Sequence, residues 1–398
     1  MRTPGERRGP CSVTFVRGWA GAVLSLLVAH GCSGPPQAGV RHPNEALLAL
    51  PGPPADVLDL RGPAGPSSPS GVGLPGPGIA SASVLARIGR LEGPAEEVFG
   101  AITDLVTDRH GRLLLLDAQS HSIRLFDEGG RFLQEVGGFG RGPGEFVEPR
   151  FMVILPTGEL IVAEAVGRLH RFLISSDSIR FVEHLPFPGD LWDGCAMGDR
   201  LYIHGMRPGD VRAIHVVSLE GDLISSFAEV YPTSNPIIRH QLSQGHIACL
   251  EGIGVVLHAP RNLPQVRAYD PKGVLRWWLD MDGFQSLPVY ETPTGGAMRT
   301  APEGPWHMSL GLVEDPSRTQ AALQVLEVVP DRASAEGWSR RLHTFLLSTE
   351  GRGALYVGDG WSRIVGTAND RVFAVVERPH PELLVHPFAL FPEGARER

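Results

Sequence analysis

The sequence predicts an all-β protein built from a repeated unit of four antiparallel strands. From Ala101 onward, short apolar runs alternate with turn residues about every ten residues, without the 3.6-residue periodicity of an amphipathic helix. A recurring turn follows the third strand of several units. It has Asp or Ser first, whose side chain can accept from the backbone two residues on, and Gly last, which takes a positive φ that closes the hairpin. The turns are Asp127–Gly130, Ser218–Gly221, Asp270–Gly273 and Ser348–Gly351.

Residues 1–31 have the pattern of an export signal. Four arginines precede an apolar run from Trp19 to Ala29, which is too short for a comfortable permanent membrane span, and Gly31-Cys32-Ser33 follows. The pattern resembles a bacterial lipoprotein signal, which implies that Cys32 is lipidated and that the chain is anchored in the bacterial envelope, in the periplasm or at the cell surface. Plain secretion and a retained signal anchor are the alternatives.

Residues 32–79 are rich in Pro and Gly, with runs such as Pro51-Gly-Pro-Pro54. Such a composition disfavours helix and strand ladders, and it offers too little apolar surface to offset the entropy of ordering. We expect a disordered tether here. By its reach, a tether of this kind would hold the following domain away from a membrane surface.

The strands of residues 80–391 can be grouped into successive units, with a short tail at 392–398. The last unit supplies only three strands after Arg363, whereas the strand at 83–91 has no partners before it. Pairing of these two ends would close the units into a ring and remove exposed strand edges. The first five units are 101–137, 150–185, 191–228, 245–280 and 306–358, the fifth with an enlarged middle.

The first unit and its connector carry a family resemblance. The Gly-rich linker 137–144, Gly144-Glu145-Phe146, Pro149 and the segment Asp117–Asp127 resemble the NHL-repeat pattern. The whole resembles exported bacterial six-bladed β-propellers with NHL-like blades. The resemblance implies a six-bladed β-propeller of four-stranded antiparallel blades, with the last blade closed by the N-terminal strand. It also implies interaction with partners as the common role, and a structural role for Asp117 and His121 in tying the hairpin loop.

Charge and cysteine content limit the partner classes and the cellular compartment that we expect. Removal of residues 1–31 takes away four Arg and one Glu, so the formal charge falls from −8 to −11. An acidic exported chain lacks the positive charge that drives nucleic-acid binding, so we expect no nucleic-acid partner. Cys195 and Cys249 remain in the folded part, where an oxidising envelope permits a bridge between them. Buried free thiols are the favoured expectation.

A metal site is conceivable where the inner strands begin. By our alignment, Arg150, Asp193, His246 and His307 are among the first residues of inner strands and would line the mouth of a central channel. Two His and one carboxylate can hold Zn²⁺ or another transition metal with an open position, so Asp193, His246 and His307 are candidate ligands of a divalent cofactor. Ordinary polar lining with water is the favoured alternative.

The long loops on the same face are the candidate binding surface, because binding residues tend to lie on loops held by a rigid scaffold. Arg150, Trp192 and Trp306 are the candidate contact residues, the two tryptophans as exposed stacking surfaces. The favoured function is a non-catalytic binding or scaffold protein that is displayed on the envelope, touches the membrane through its lipid only, and recognises a protein, peptide or glycan. The alternative is a metal-dependent lyase or a lactone or ester hydrolase with its metal at the channel mouth.

Overall fold

The computed structural model describes residues 50–60 and 84–387, with gaps at 177, 293, 300–303, 335 and 348–353, and also the strands at 14–15, 27–28 and 40–42. The predicted signal, the lipidation candidate Cys32, most of the predicted tether and the tail at 392–398 lie outside the described residues. In chain order, the strands are β1 (Thr14–Phe15), β2 (Leu27–Val28), β3 (Val40–His42), β4 (Asp56–Asp59), β5 (Ala86–Ile88), β6 (Ile102–Thr107), β7 (Leu113–Asp117), β8 (Ser122–Phe126), β9 (Phe132–Gly137), β10 (Pro149–Ile154), β11 (Leu160–Glu164), β12 (Val166–Ile174), β13 (Ile179–Met197), β14 (Arg200–Met206), β15 (Arg212–Ser218), β16 (Leu223–Glu229), β17 (Gly245–Leu250), β18 (Val255–Pro260), β19 (Gln265–Tyr269), β20 (Leu275–Asp282), β21 (Val289–Glu291), β22 (Ala297–Arg299), β23 (Trp306–Glu314), β24 (Ala321–Pro330), β25 (Trp338–Leu347), β26 (Ala354–Gly358), β27 (Arg363–Ala368), β28 (Arg371–Val376) and β29 (Glu382–Pro387), and the helix α1 (Pro236–Ser243) lies between β16 and β17.

The strands form antiparallel sheets arranged as a β-propeller. The first sheet is β6–β9, the double sheet is β10–β16, the fourth sheet is β17–β20, the fifth sheet is β23–β26, and the closing sheet is β27–β29 with β5. The inner strands β6, β10, the second half of β13, β17, β23 and β27 contact one another in this order, and β27 contacts β6. The inner strands therefore surround one central channel.

The double sheet arises because one long strand serves two groups of strands. The first part of β13 pairs with β12 through contacts such as Ile179 with Ile174, and its second part pairs with β14 through contacts such as Met197 with Arg200. Pro188 and Gly189 lie where the pairing changes, and Asp190 pairs with both Val166 of β12 and Met206 of β14. One continuous strand thus carries the chain from the outer position of one group to the inner position of the next.

The recurring turn forms as predicted where the structure describes it. Asp270 Oδ1 accepts from the Lys272 backbone N–H two residues on, at 3.0 Å, and Ser218 Oγ accepts from that of Glu220 at 3.2 Å. Asp127 Oδ1 also accepts from the Arg131 backbone N–H, four residues on, at 2.8 Å. The closing glycines have positive φ, 85° at both Gly130 and Gly273. The fourth turn of the series, at 348–351, lies outside the described residues. These turns connect the third and fourth strands on the face opposite the channel mouth.

Asp117 ties the first sheet to the chain that enters it. The buried carboxylate accepts from the backbone N–H groups of Gly100 and Ala101, both at 2.9 Å, and lies 3.4 Å from the Arg124 guanidinium. These contacts support the structural role that the resemblance implies for Asp117. His121 takes a positive φ of 55° in the same hairpin loop.

The N-terminal strand β5 completes the closing sheet. It runs antiparallel to β29, with Ile88 opposite Leu383 and Ala86 opposite Val385. Ile88 packs in one core cluster with Phe99, Leu105 and Phe373, which come from the connector, the first sheet and the closing sheet. The two ends of the ring are therefore joined by hydrogen bonds and apolar packing, as the sequence predicts.

The expectation of a tether without strand pairing over 32–79 is wrong at two places. Residues 56–59 form β4, which pairs in parallel with the outer strand β20 of the fourth sheet. Residues 40–42 form β3, which pairs with β21. Composition alone does not predict these added strands. The edge strand of an existing sheet supplies their backbone partners, and the core of the domain, which is already large, does not depend on their apolar residues.

The expectation of free thiols is also wrong, because Cys195 and Cys249 form a disulfide. Cys195 lies on the second half of β13 and Cys249 on β17, which are neighbouring inner strands, and their Cα atoms are 5.6 Å apart. The bridge links the double sheet to the fourth sheet.

Among the described residues, no helix has the length and apolar character needed to cross a bilayer.

We predict that Asp117→Ala will lower the free energy of unfolding by roughly 3 kcal/mol or more, because it leaves the backbone N–H groups of Gly100 and Ala101 without an acceptor and removes a carboxylate from beside the buried Arg124 guanidinium. Urea unfolding followed by tryptophan fluorescence measures the loss. Asp127→Ala is the matched control: it removes a similar turn acceptor from an exposed site, where water replaces it, so its loss should be clearly smaller. Equal losses in the two variants would contradict the role given to Asp117.

Candidate functional site

The central channel of the ring forms a cavity of about 780 Å³. Its walls are the inner strands, which all begin at one end. We call this end the mouth face: it carries the connectors from outer to inner strands and the loops between second and third strands. Three of the carboxylates that line the channel, Asp104, Asp193 and Glu314, project from inner strands near small residues such as Gly194, Gly311 and Gly366, and we call these three the channel carboxylates.

The three carboxylates link neighbouring inner strands. Asp104 Oδ2 accepts from the Met152 N–H at 2.6 Å, and Asp193 Oδ2 accepts from the Ile247 N–H at 3.1 Å. Glu314 Oε1 accepts from the Cys249 N–H at 2.7 Å. Inner strands diverge from their neighbours and cannot satisfy these backbone groups through a ladder, so side chains do so.

An arginine closes the same set of links between the last and first inner strands. The Arg363 guanidinium donates to the Ile102 carbonyl at 2.6 Å and to the Thr103 carbonyl at 3.2 Å. Burial lowers the pKa of Arg363, although Glu377 and Asp104 nearby favour its charged form. The charge is held in the wall and oriented by backbone carbonyls.

Burial is the main cause of the raised pKa values of Asp104 and Glu314. Burial raises the pKa of Asp104 from 3.8 to about 7, the hydrogen bond from Met152 opposes this shift, and the Asp193 charge adds to it. Burial also raises the pKa of Glu314, against the favourable charge of Arg318. The channel therefore holds at least one carboxyl group that titrates near neutral pH.

Acid and histidine pairs mark the mouth of the channel. His246 Nδ1 lies 3.4 Å from Asp193 Oδ2, and His240 Nε2, on α1, lies 3.6 Å from Asp190 Oδ2. The Trp192 ring lies edge-on to His240, with 5.6 Å between ring centroids. Burial lowers the pKa of His240, and Asp190 opposes this effect.

Behind Trp192, two histidines are fully enclosed. The ring of His204 lies 5.0 Å from Trp192 and 4.7 Å from His258, measured between centroids. Burial lowers the pKa of His204 to about 4 and that of His258 well below its usual value. Both rings are therefore neutral at neutral pH and act as packing for Trp192.

The predicted metal ligands are not brought together. Asp193 and His246 are neighbours, but His307 is buried elsewhere: its Nδ1 accepts from the Gln285 N–H at 3.0 Å and its Nε2 lies 3.8 Å from Glu327. Within the described part of the chain, no three His, Cys, Asp or Glu side chains are grouped so as to hold a metal ion. The alignment fails at β23 because this strand begins before the channel: residues 310–314 line the channel, whereas His307 lies earlier in the strand and pairs with Glu327 of β24.

Two of the three predicted contact residues lie at the mouth, and the third does not. Arg150 and Trp192 do line the mouth, where Arg150 pairs with Glu148. Trp306 is not an exposed stacking surface, since it is only 4% exposed and packs with Leu287, Met308 and Val328. The first residue of β23 is therefore a core residue.

The mouth face carries a group of exposed apolar residues that the sequence analysis does not single out. They lie on connectors and loops around the mouth, and we call them the apolar rim: Leu91, Phe139, Val166, Val211 and Ile237, with exposures of 66%, 73%, 62%, 58% and 47%. Of these five residues Phe139 is the most exposed, and apolar side chains on loops held by a rigid scaffold are candidate contacts for a partner.

Phe139 is held outward by a rigid loop. Gly140 N–H donates to the Phe146 carbonyl at 3.1 Å, Phe146 N–H donates to the Gly138 carbonyl at 2.9 Å, and the Phe146 ring is fully buried. Gly137 has a φ of 113°, and a Cβ there would lie 2.7 Å from the His121 carbonyl oxygen. The glycine run is thus needed for a tight turn that presents Phe139 to solvent.

Sequence and structure comparisons agree on the fold. Residues 90–183 match a family described as a 6-bladed beta-propeller. A Bacteroides fragilis protein assigned as exported shares 12% identity over 78% of this chain and 96% of its own, with a TM-score of 0.52. A DUF4221-family protein from Bacteroides vulgatus shares 10% identity over 77% and 96%, with a TM-score of 0.49. Virginiamycin B lyase from Staphylococcus aureus shares 8% over 71% and 93%, with a TM-score of 0.42. No protein of curated function matches the sequence. At these identities, the likeness extends to the fold and not to the activity.

We predict that Asp104→Asn will gain stability relative to the natural chain as pH rises from 4 to 8. The folded natural chain keeps a proton on Asp104 up to about pH 7, whereas the unfolded chain loses it near 3.8, so this group's contribution falls as pH rises. Asn does not titrate, so the variant does not lose this contribution to stability as pH rises. Channel water screens the site, so we expect a relative change of about 2 kcal/mol, below the value that the full pKa shift would give.

The measurement is urea unfolding of both chains at several pH values, with the difference taken at each pH. The buried histidines titrate in both chains and cancel in that difference. A flat difference between pH 4 and pH 8 would contradict a raised pKa at Asp104.

Proposed function

We propose that the chain is a non-catalytic binding protein whose six-bladed ring captures an apolar segment of a partner protein on its mouth face. In this proposal the double sheet counts as two blades, and β5 completes the sixth. The NHL-like character of the blades stays a prediction. The observation that carries the proposal is the apolar rim, and above all Phe139, which is 73% exposed on a loop fixed by its own hydrogen bonds.

The chemistry of the rim favours a protein or peptide over a glycan. Four of its five members, Leu91, Val166, Val211 and Ile237, are aliphatic and suit apolar side chains, while sugar recognition relies on aromatic faces with polar groups beside them. Trp192 and Arg150, at the mouth, could then contact the polar backbone of the bound segment. The acidic balance of the chain argues against a nucleic acid.

A metal-dependent lyase or hydrolase at the mouth gains no support from the geometry. Its proposed ligands are split, because Asp193 and His246 are 3.4 Å apart while His307 contacts Gln285 and Glu327. The channel carboxylates instead accept backbone N–H groups. We therefore prefer binding to catalysis.

The binding proposal predicts that peptides selected for binding to the full chain from a random displayed library will contain large apolar residues. Phe139→Ser should lower the affinity of the chain for these peptides by roughly tenfold or more. Fluorescence anisotropy with labelled peptides measures the affinity. Val274→Ser is the matched control, since Val274 is also an exposed apolar turn residue, 59% exposed on the opposite face, and its loss should leave affinity unchanged. Failure to select peptides, alongside binding on a glycan array, would replace the peptide proposal with a glycan one.

We also propose display on the bacterial envelope through a lipid on Cys32, as the signal-like segment implies. In a bacterial host, the natural chain should partition into the detergent phase of a Triton X-114 extraction, because acyl chains anchor it. Cys32→Ser should move it to the aqueous phase, and mass spectrometry of the mature N-terminus should show the lipid only in the natural chain. An aqueous, unmodified natural chain would point to plain secretion.

A further inference from the structure

The outer edge of the fourth sheet is covered by a segment that comes from far away in the chain. β4 lies parallel to β20, with Asp56 opposite Leu279, Val57 opposite Asp280 and Leu58 opposite Met281. Hydrogen bonds from Ala55 N–H to the Trp278 carbonyl, at 2.8 Å, and from Leu60 N–H to the Asp282 carbonyl, at 3.1 Å, bound the paired stretch. The segment completes the backbone pairing of an outer strand.

Two leucines of this segment enter the core between two sheets. Leu58 and Leu60 are 2% and 4% exposed, and they belong to one cluster with Leu279 and Met281 of the fourth sheet and Phe345 of the fifth. The alternate residue Val57 is 50% exposed. Side chains therefore alternate between groove and solvent, as in a strand that binds the edge of a sheet.

The chain on either side limits the segment to this short stretch. Pro51, Pro53 and Pro54 precede it, and proline lacks the N–H that a ladder needs. After Leu60, residues 61–83 lead to the next described residue, and a chain of this length can span about 75 Å when extended. The covalent connection therefore does not dictate which groove the segment fills, and the contacts of the segment itself do.

From these contacts we infer that the outer edge of the fourth sheet is a peptide-binding groove, specific for an extended parallel segment with leucines two residues apart. Its occupant is Asp56–Leu60 of the same chain. The backbone of β20 supplies the affinity, and the pockets for Leu58 and Leu60 between the fourth and fifth sheets supply the selectivity. This groove lies at the outer edge of the fourth sheet and is separate from the mouth face, so its test is independent of the proposed partner binding.

The test empties the groove within the full chain and refills it with a peptide. Leu58→Asp with Leu60→Asp should release the segment, since two charges cannot enter the apolar cluster. A labelled peptide of residues 53–61 should then bind the variant saturably and bind the natural chain at least tenfold more weakly, because its groove is filled. The same peptide with Val57→Asp should bind the variant as well as the natural peptide does, whereas the peptide with Leu58→Asp should not bind.

A peptide that ignores the variant, or that binds regardless of Leu58, would overturn the inference. If the double variant does not fold, a disulfide cross-link tests the same assignment. Val57→Cys with Asp280→Cys places thiols at paired positions and should form an intramolecular disulfide in the otherwise natural chain, seen as a shifted monomer on non-reducing gels. Val57→Cys with Arg276→Cys, which lies outside the paired stretch, should not. Absence of the first cross-link, or cross-linked dimers in place of monomers, would overturn the assignment of the groove to the same chain.

Discussion

A ring of sheets must satisfy the backbone groups of inner strands that have no neighbour close enough for a ladder. Here polar side chains fill that need: Asp104, Asp193 and Glu314 accept N–H groups of adjacent inner strands, and Arg363 donates to carbonyls of the first one. Each of these contacts crosses from one sheet to the next. The closure of the ring, the width of the channel and the charge inside it all follow from this requirement.

The same requirement accounts for charged groups that line the channel. Carboxylates in a narrow cavity have shifted pKa values, as Asp104 and Glu314 do, and shifted values are often taken to indicate function. In this ring, however, the carboxylate oxygens already accept backbone groups, and the enclosed rings of His204 and His258 are neutral. The exposed apolar residues of the mouth face stand outside this network, on connectors and loops.

The sequence predicts those features that local chemistry determines. The turns at Asp127 and Asp270 follow from residue types at fixed spacing, the closing strand follows from the strand count of the last unit, and the structural role of Asp117 follows from the family resemblance. Predictions fail where the outcome depends on register or on distant partners. β23 begins before the channel, so His307 and Trp306 lie outside the channel lining, and the pairing of Cys195 with Cys249 needs the relative positions of two inner strands. β4 escapes detection because its environment is built by residues more than 200 positions later.

The closing contact between β5 and β29 has a consequence for how the protein is made. Arg87 and Glu382, which meet across this contact, are separated by 295 residues, so the ribosome releases the first partner long before the second. During synthesis, β5 has no partner until β29 has been made. The ring cannot close before then, and an open ring exposes strand edges at both ends that invite association with other chains.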